Sequence, residues 1–218
     1  MNRYFILIAA FGAVFGVTAK PVKQQRPLVS YVNPFVGTDG YGNVYPGAQL
    51  PFGGIQISPD TDEHFYDAAS GYKWNRQSIQ GFSLTHLSGT GIPDMGDFLF
   101  MPGTGAIKLD AGTDEEPDSG YRSRFKHEEE QASPGYYAVK LLDYGVKAEM
   151  TAGLRSGIFR FTYPKSTESF ILIDFQHTLW QHCAWSNIRV ENDSTITGYR
   201  LIQGWGPERH IYFTAVFS

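Results

Sequence analysis

Residues 137–152, YAVKLLDYGVKAEMTA, decide the fold class. Tyr137, Val139 and Leu141 recur at every second position, which puts them on one face of an extended strand. Asp143-Tyr144-Gly145 follows as a reversal, because Asp and Gly accept the backbone conformations a tight turn needs. Val146–Ala152 then alternates apolar and polar, the period-2 pattern of a half-buried strand. The stretch reads as a β-hairpin with one face turned to a core.

Working outward, Phe159, Phe161 and Tyr163 repeat the alternation, with Arg160 and Thr162 pointing the other way. Residues 169–175 and 211–217 are continuous apolar runs, expected to be central strands covered on both faces. Upstream, residues 31–36 and 54–58 are expected to form short strands in a loop-rich region. Residues 110–119, DAGTDEEPDS, read as a solvated surface loop. Turn signals recur at the spacing of a sandwich, and no heptad, internal repeat or low-complexity tract interrupts them. The expected fold is all-β, a β-sandwich.

The 218 residues are enough for one large domain or two small ones. Gly (24) and Pro (12) supply many turns, and aromatics at 15% suit a sandwich core or the stacking of sugar rings. At the N-terminus Arg3 precedes an apolar run, residues 4–17, which is too short to span a membrane comfortably. With Val17-Thr18-Ala19 as a small-residue cleavage site, residues 1–19 read as a secretory signal, which predicts an exported, periplasmic or extracellular protein with no membrane attachment after cleavage. Residues 20–29 are expected to be a linker and residues 30–218 the sandwich. A net charge of -4 without a basic cluster makes nucleic acid and anionic membranes poor partners. Cys183 is the only cysteine, so no internal disulfide can form, and a buried inert thiol is expected. The sequence stops at residues 215–218, AVFS, inside or just past an apolar strand, and the expectation is either that this strand is covered by something outside the chain or that the chain is a fragment of something longer.

The candidate chemistry lies in residues 81–91, GFSLTHLSGTG, with Asp94 and Asp97 close behind. Gly89 and Gly91 let backbone approach a ligand, while Ser88, Thr90 and Asp94 supply hydroxyl and carboxylate groups. His86 is either a ligand contact or a hydrogen-bonded structural histidine. Asp94 and Asp97 cannot be assigned as an acid/base pair on spacing, and the EF-hand pattern is absent. In NPFVGTDG, residues 33–40, Thr38 and Asp39 can be presented by a rigid loop to a polyhydroxylated ligand, or Asp39 can be a turn former. Asp67 joins these candidates. No HExxH, CxxC, GxSxG or P-loop motif occurs.

NPFVGTDG, YPGAQLPFG, QISPD, SGYKW, GFSLTHLSGTG, SGIFRFTYP and GYRLIQGW occur in that order. Together they resemble the N-terminal domain of glycoside hydrolase family 92, from about Tyr31 to Ser218. The resemblance implies the β-sandwich half of an exported bacterial exo-α-mannosidase that inverts configuration and depends on calcium, acting on α-mannosides or N-glycan sugars. It also implies an (α/α)6-barrel partner domain of the same polypeptide that carries the acid, base and calcium ligands. No catalytic residue and no metal ligand is therefore assigned to this chain. Thr38, Asp39, Asp67, His86, Ser88, Gly89, Thr90 and Asp94 become the candidate substrate-binding residues. Leu84, Tyr41 and Asn43 stand where histidines are common in that family, which bears on linkage specificity. A free-standing carbohydrate-binding module and an adhesive surface domain remain alternatives.

Overall fold

The computed structural model describes residues 26–62 and 66–218. The expected signal, residues 1–19, and residues 20–25 of the expected linker lie outside them. The described residues form fourteen strands and three short 3-10 turns, with no α-helix. In chain order the strands are β1 (Ala48–Gln49), β2 (Gln56–Asp60), β3 (Ser78–Ile79), β4 (Gly81–Ser83), β5 (Leu99–Thr104), β6 (Ser123–Arg124) and β7 (Gln131–Ser133). They continue with β8 (Tyr136–Leu141), β9 (Val146–Ala152), β10 (Gly157–Thr162), β11 (Ser169–Asp174), β12 (His182–Asn192), β13 (Thr195–Gln203) and β14 (Arg209–Val216).

The hairpin of the opening stretch is β8 and β9, paired from Leu141 opposite Val146 to Tyr136 opposite Thr151. Gly145 closes its turn at φ +66°, a left-handed conformation that glycine enters without penalty. Burial alternates along β9, so Val146, Ala148, Met150 and Ala152 face inward. The β10-β9-β8-β7 sheet packs on a second antiparallel sheet ordered β1-β2-β4-β5-β11. Between them Ile57, Phe82, Leu99 and Met101 meet Tyr137, Val139, Leu141 and Met150. Each such side chain contributes about 1.5–3 kcal/mol on leaving water, and these contacts hold the two layers together. One charge sits inside this core: Glu130 accepts hydrogen bonds from the hydroxyls of Tyr72 and Tyr137 and meets His127 Nδ1 at 2.5 Å. The remaining sheets are β12-β13-β14 and the small β3-β6 pair.

The structure corrects three expectations. Residues 31–36 are not a strand. Asn33 Oδ1 accepts the Phe35 N–H at 3.0 Å and the Asn33 carbonyl accepts that of Val36, so Asn-Pro starts a turn there. The apolar runs at 169–175 and 211–217 are not central strands: β11 and β14 are edge strands of their sheets. Residues along β14 alternate between half-buried and exposed. Cys183 is half-buried rather than buried, its Sγ 3.5 Å from the Phe175 carbonyl. Residues 110–119 are largely exposed as expected, although Asp114 accepts hydrogen bonds from the Gln77 and Ser78 backbone.

Candidate functional site

The loops that carry the quoted motifs are tied together by Asn43 and Lys73. Asn43 Oδ1 accepts the Ala69 N–H at 3.1 Å, and its carbonyl accepts that of Gly89 at 2.7 Å. Asn43 sits at φ +48°, which asparagine tolerates better than most side chains. Buried Lys73 donates to the Gly40 carbonyl, to the Asp67 carbonyl at 2.6 Å, and to the Asp67 carboxylate at 2.9 Å. Arg76 meets the same carboxylate at 2.7 Å and Asp62 at 2.6 Å. The hydrogen bond from Lys73, with the charges of Lys73 and Arg76, holds the Asp67 carboxyl below its ordinary range against the effect of burial.

Beneath these loops lies a buried triad. Asp60, at the end of β2, is wholly buried and meets His86 Nε2 at 2.6 Å and His177 Nε2 at 2.9 Å, one histidine on each oxygen. His86 Nδ1 donates to the Gln56 carbonyl at 2.7 Å, and Ser83 Oγ lies 3.1 Å from Nε2. Burial alone would raise the Asp60 carboxyl, but the charges of the two histidines and their hydrogen bonds outweigh it and hold it well below the usual range. Gly71 of the SGYKW motif makes this possible. Its φ is +84°, and a Cβ there would stand 2.2 Å from Asp60 Oδ1.

A second junction joins the 88–97 loop to the turn between β13 and β14. Asp94 Oδ1 accepts the Met95 N–H at 2.6 Å, and Oδ2 accepts that of Trp205 at 3.1 Å. Arg209 reaches Asp97 at 2.6 Å and Asp94 at 3.4 Å, and Thr85 Oγ donates to Asp97 at 2.6 Å. Arg200, fully buried, donates to the His177 carbonyl at 2.6 Å with its guanidinium 5.2 Å from the Phe98 ring.

The structure therefore brings Asp39, Asp67 and Gly89 into one loop cluster. Asp39 is exposed and its carbonyl accepts the Gly42 N–H. Thr38 belongs to the same loop but is buried, its hydroxyl donating to the Phe35 carbonyl at 2.9 Å. Ser88 and Gly89 are exposed, while Thr90 donates to the Ile92 carbonyl at 3.1 Å. Asp94 is buried in its junction. His86 is a floor residue, 3% exposed, with both ring nitrogens engaged by the chain itself. Asp60, Lys73, His177 and Arg209 went unsingled by sequence reasoning, although Asp60 and Lys73 lie within the quoted QISPD and SGYKW.

Among the described residues, the paired carboxylates of this site do not fit a calcium site. Among the described residues no group of three or more His, Cys, Asp or Glu side chains is arranged to hold a metal. Asp94 and Asp97 share Arg209, Asp67 is taken by Lys73 and Arg76, and Asp60 by two histidines.

Residues 31–218 match the glycosyl hydrolase family 92 N-terminal domain. The chain is similar to a family GH92 α-mannosidase of Bacteroides thetaiotaomicron solved with mannoimidazole, at 74% identity over 86% of this chain and 25% of that one, with a TM-score of 0.85. A GH92 inverting mannosidase from the same organism is 27% identical over 87% of this chain and 25% of that one, with a TM-score of 0.67. A protein described as an uncharacterized secreted glycosidase of Arthroderma benhamiae is 31% identical over 68% of this chain and 19% of its own length. The chain thus spans about a quarter of the solved relatives and less of the fungal one.

Proposed function

The chain belongs to glycoside hydrolase family 92, and on that premise we propose that its loop cluster forms one wall of the sugar site of an exported, bacterial, inverting exo-α-mannosidase. The site would take α-mannosides or N-glycan sugars, with Thr38, Asp39, Asp67, Ser88, Gly89, Thr90 and Asp94 on or just behind the sugar-facing surface and His86 beneath it. The observation that carries this reading is the tie made by Asn43 and Lys73, which fixes three glycine-rich loops as one preorganised surface.

Inversion needs two carboxyl groups on opposite sides of the scissile bond, with room for a water between them. Of the acidic groups named above, Asp67, Asp94 and Asp97 are ion-paired with Lys73, Arg76 or Arg209, and both oxygens of Asp60 are taken by histidines. In this reading the acid, the base and the calcium ligands come from a barrel domain of the same polypeptide, and this chain binds and orients the sugar.

The test compares the chain with the polypeptide extended through that barrel. The chain is expected to bind α-mannobiose over a gluco-disaccharide by calorimetry and to release no mannose, with or without calcium. The extended polypeptide is expected to release mannose of inverted configuration, read by proton NMR. Calcium-stimulated mannose release by the chain alone would overturn the division of roles. Binding by the chain with no cleavage by the extended polypeptide would leave a carbohydrate-binding module.

A further inference from the structure

In HEEE, residues 127–130, four polar residues in a row suit a solvated turn, and Glu128 and Glu129 are exposed. Glu130 points the other way. Its side chain is wholly buried, while that of His127, three positions earlier, is 28% exposed. Both Glu130 oxygens accept from the Tyr72 hydroxyl, at 3.1 and 3.0 Å, and one of them also accepts from Tyr137. Its Oε2 meets His127 Nδ1 at 2.5 Å. His127 carries this contact outward to the loops. Its Nε2 lies 2.7 Å from the Trp74 carbonyl, and its ring stacks on the Trp74 ring at 3.7 Å. The Trp74 N–H in turn donates to the Thr38 carbonyl at 2.9 Å, and its ring meets Phe35 edge-on at 5.3 Å. A single chain of contacts therefore runs from the core carboxylate, through SGYKW, to the NPFVGTDG loop.

The chemistry of the partners fixes how many protons this chain needs. A backbone carbonyl only accepts, so His127 Nε2 carries a proton. At Nδ1 one proton has to lie between the ring and the carboxylate, on either side. With none, a ring lone pair faces a carboxylate. With two, the carboxyl becomes a donor among three groups that donate to it. The other ionisable groups facing the contact are the Tyr72 and Tyr137 hydroxyls, while Trp74 and Phe125, which flank the His127 ring, carry none. Burial and the Glu130 charge push both hydroxyls far up, so they stay protonated. Burial also pushes the Glu130 carboxyl up, against the hydrogen bonds from Tyr137, His127 and Tyr72, which moves the gain of a second proton to higher pH.

We infer that Glu130 and His127 form a one-proton clasp that positions Trp74 and the Thr38 loop, so that the sugar-facing surface is fully assembled only within a window of pH. The clasp opens on both sides of that window, and the two limits belong to the pair rather than to either residue. The link to sugar rests on the proposed sugar-wall reading; the clasp itself does not. His127 is a positioning residue, acting on the surface through Trp74.

The test uses the 218-residue chain with 5-fluorotryptophan incorporated and the Trp74 signal assigned by Trp74→Phe. Fluorine NMR spectra are taken between about pH 4 and 9, a range that brackets the free values of both groups. The Trp74 signal is expected to hold a plateau and to move on either side of it. His127→Gln is expected to remove both movements. Glu130→Gln, whose amide donates to Nδ1 without a titrating proton, is expected to keep the plateau position and lose the alkaline movement alone. If His127→Gln does not fold, the wild-type profile and Glu130→Gln decide the matter. A Trp74 signal flat across the range, or an alkaline movement that survives in Glu130→Gln, overturns the clasp. Calorimetry with α-mannobiose at the same pH steps is expected to show affinity about tenfold weaker where about a tenth of the molecules keep the clasp. Movement at Trp74 with a flat affinity overturns the coupling and leaves the sugar wall standing. No binding at any pH overturns the sugar wall, and the Trp74 profile then judges the clasp by itself.

Discussion

His86 shows how far burial changes what a residue is expected to do. Read from GFSLTHLSGTG, a loop histidine could be removed with little loss of stability. In the structure its removal leaves the wholly buried Asp60 carboxylate with one histidine instead of two. His86→Ala is therefore expected to destabilise the fold by about 3 kcal/mol, the cost of unpairing a buried charge. At roughly 2–4 °C per kcal/mol for a chain of this size, the thermal midpoint should fall by an amount easily read in a melt. An unchanged midpoint would contradict it. Asp60 also predicts a pH dependence. Its folded pKa lies below the unfolded value of about 3.9, so its contribution is present above that value and is lost as pH falls through the folded pKa. The midpoint difference between the wild type and Asp60→Asn should be largest near neutrality and shrink below about pH 4; a difference that grows on acidification would refute this. Gly71→Ala forces a Cβ against Asp60 Oδ1 at a positive φ, and a loss of about 3 kcal/mol or more is expected in chemical denaturation.

At the level of elements, the sheets carry the loops and a few ion pairs lock the loops to one another. Arg209, at the start of β14, reaches Asp97 and Asp94 across more than a hundred residues of sequence. Its loss leaves Asp97 with the Thr85 hydroxyl and removes the cation beside Asp94, the carboxylate that accepts the Trp205 N–H. Arg209→Ala is expected to cost about 3 kcal/mol and to speed hydrogen exchange at the Gly204 and Trp205 amides while the β8–β9 hairpin stays protected. Equal exchange in both proteins would mean the pair holds nothing in place. The hairpin itself was legible because Tyr137, Val139 and Leu141 alternate over a short turn. The positions of β11 and β14 were not legible. A continuous apolar run looks the same whether its second face meets a layer or an open groove, and only sheet order distinguishes them.

For the molecule as a whole, that groove is the feature with consequences. It lies between β10 and β14, holds about 900 Å³, and is lined by Phe159, Phe161, Ile211, Phe213 and Phe217 among others. Beside it the outer edge of β14 makes no strand pair among the described residues, so it presents unpaired backbone groups. An apolar groove next to an open strand edge favours association with another chain. The 218-residue chain alone is expected to self-associate at about 10 µM, the range in which such surfaces usually do so, and light scattering will read it. Val216→Lys, placing a charge on the exposed side of that edge, should shift the population toward monomer. A monodisperse wild-type monomer would show that the groove closes by itself.

Alternation of apolar residues over a few positions determined the all-β class, the β8–β9 hairpin and the half-buried character of β10, because strand periodicity is a local property of the chain. Seven ordered motifs determined the family. The pairing of Asp60 with His86, 26 positions away, and with His177, 117 positions away, was decided only by tertiary structure. So was the burial of Thr38 and Asp94. A side chain's exposure and partners depend on which distant segments pack over it, and that information is carried by the packing of the sheets rather than by any stretch of residues read alone.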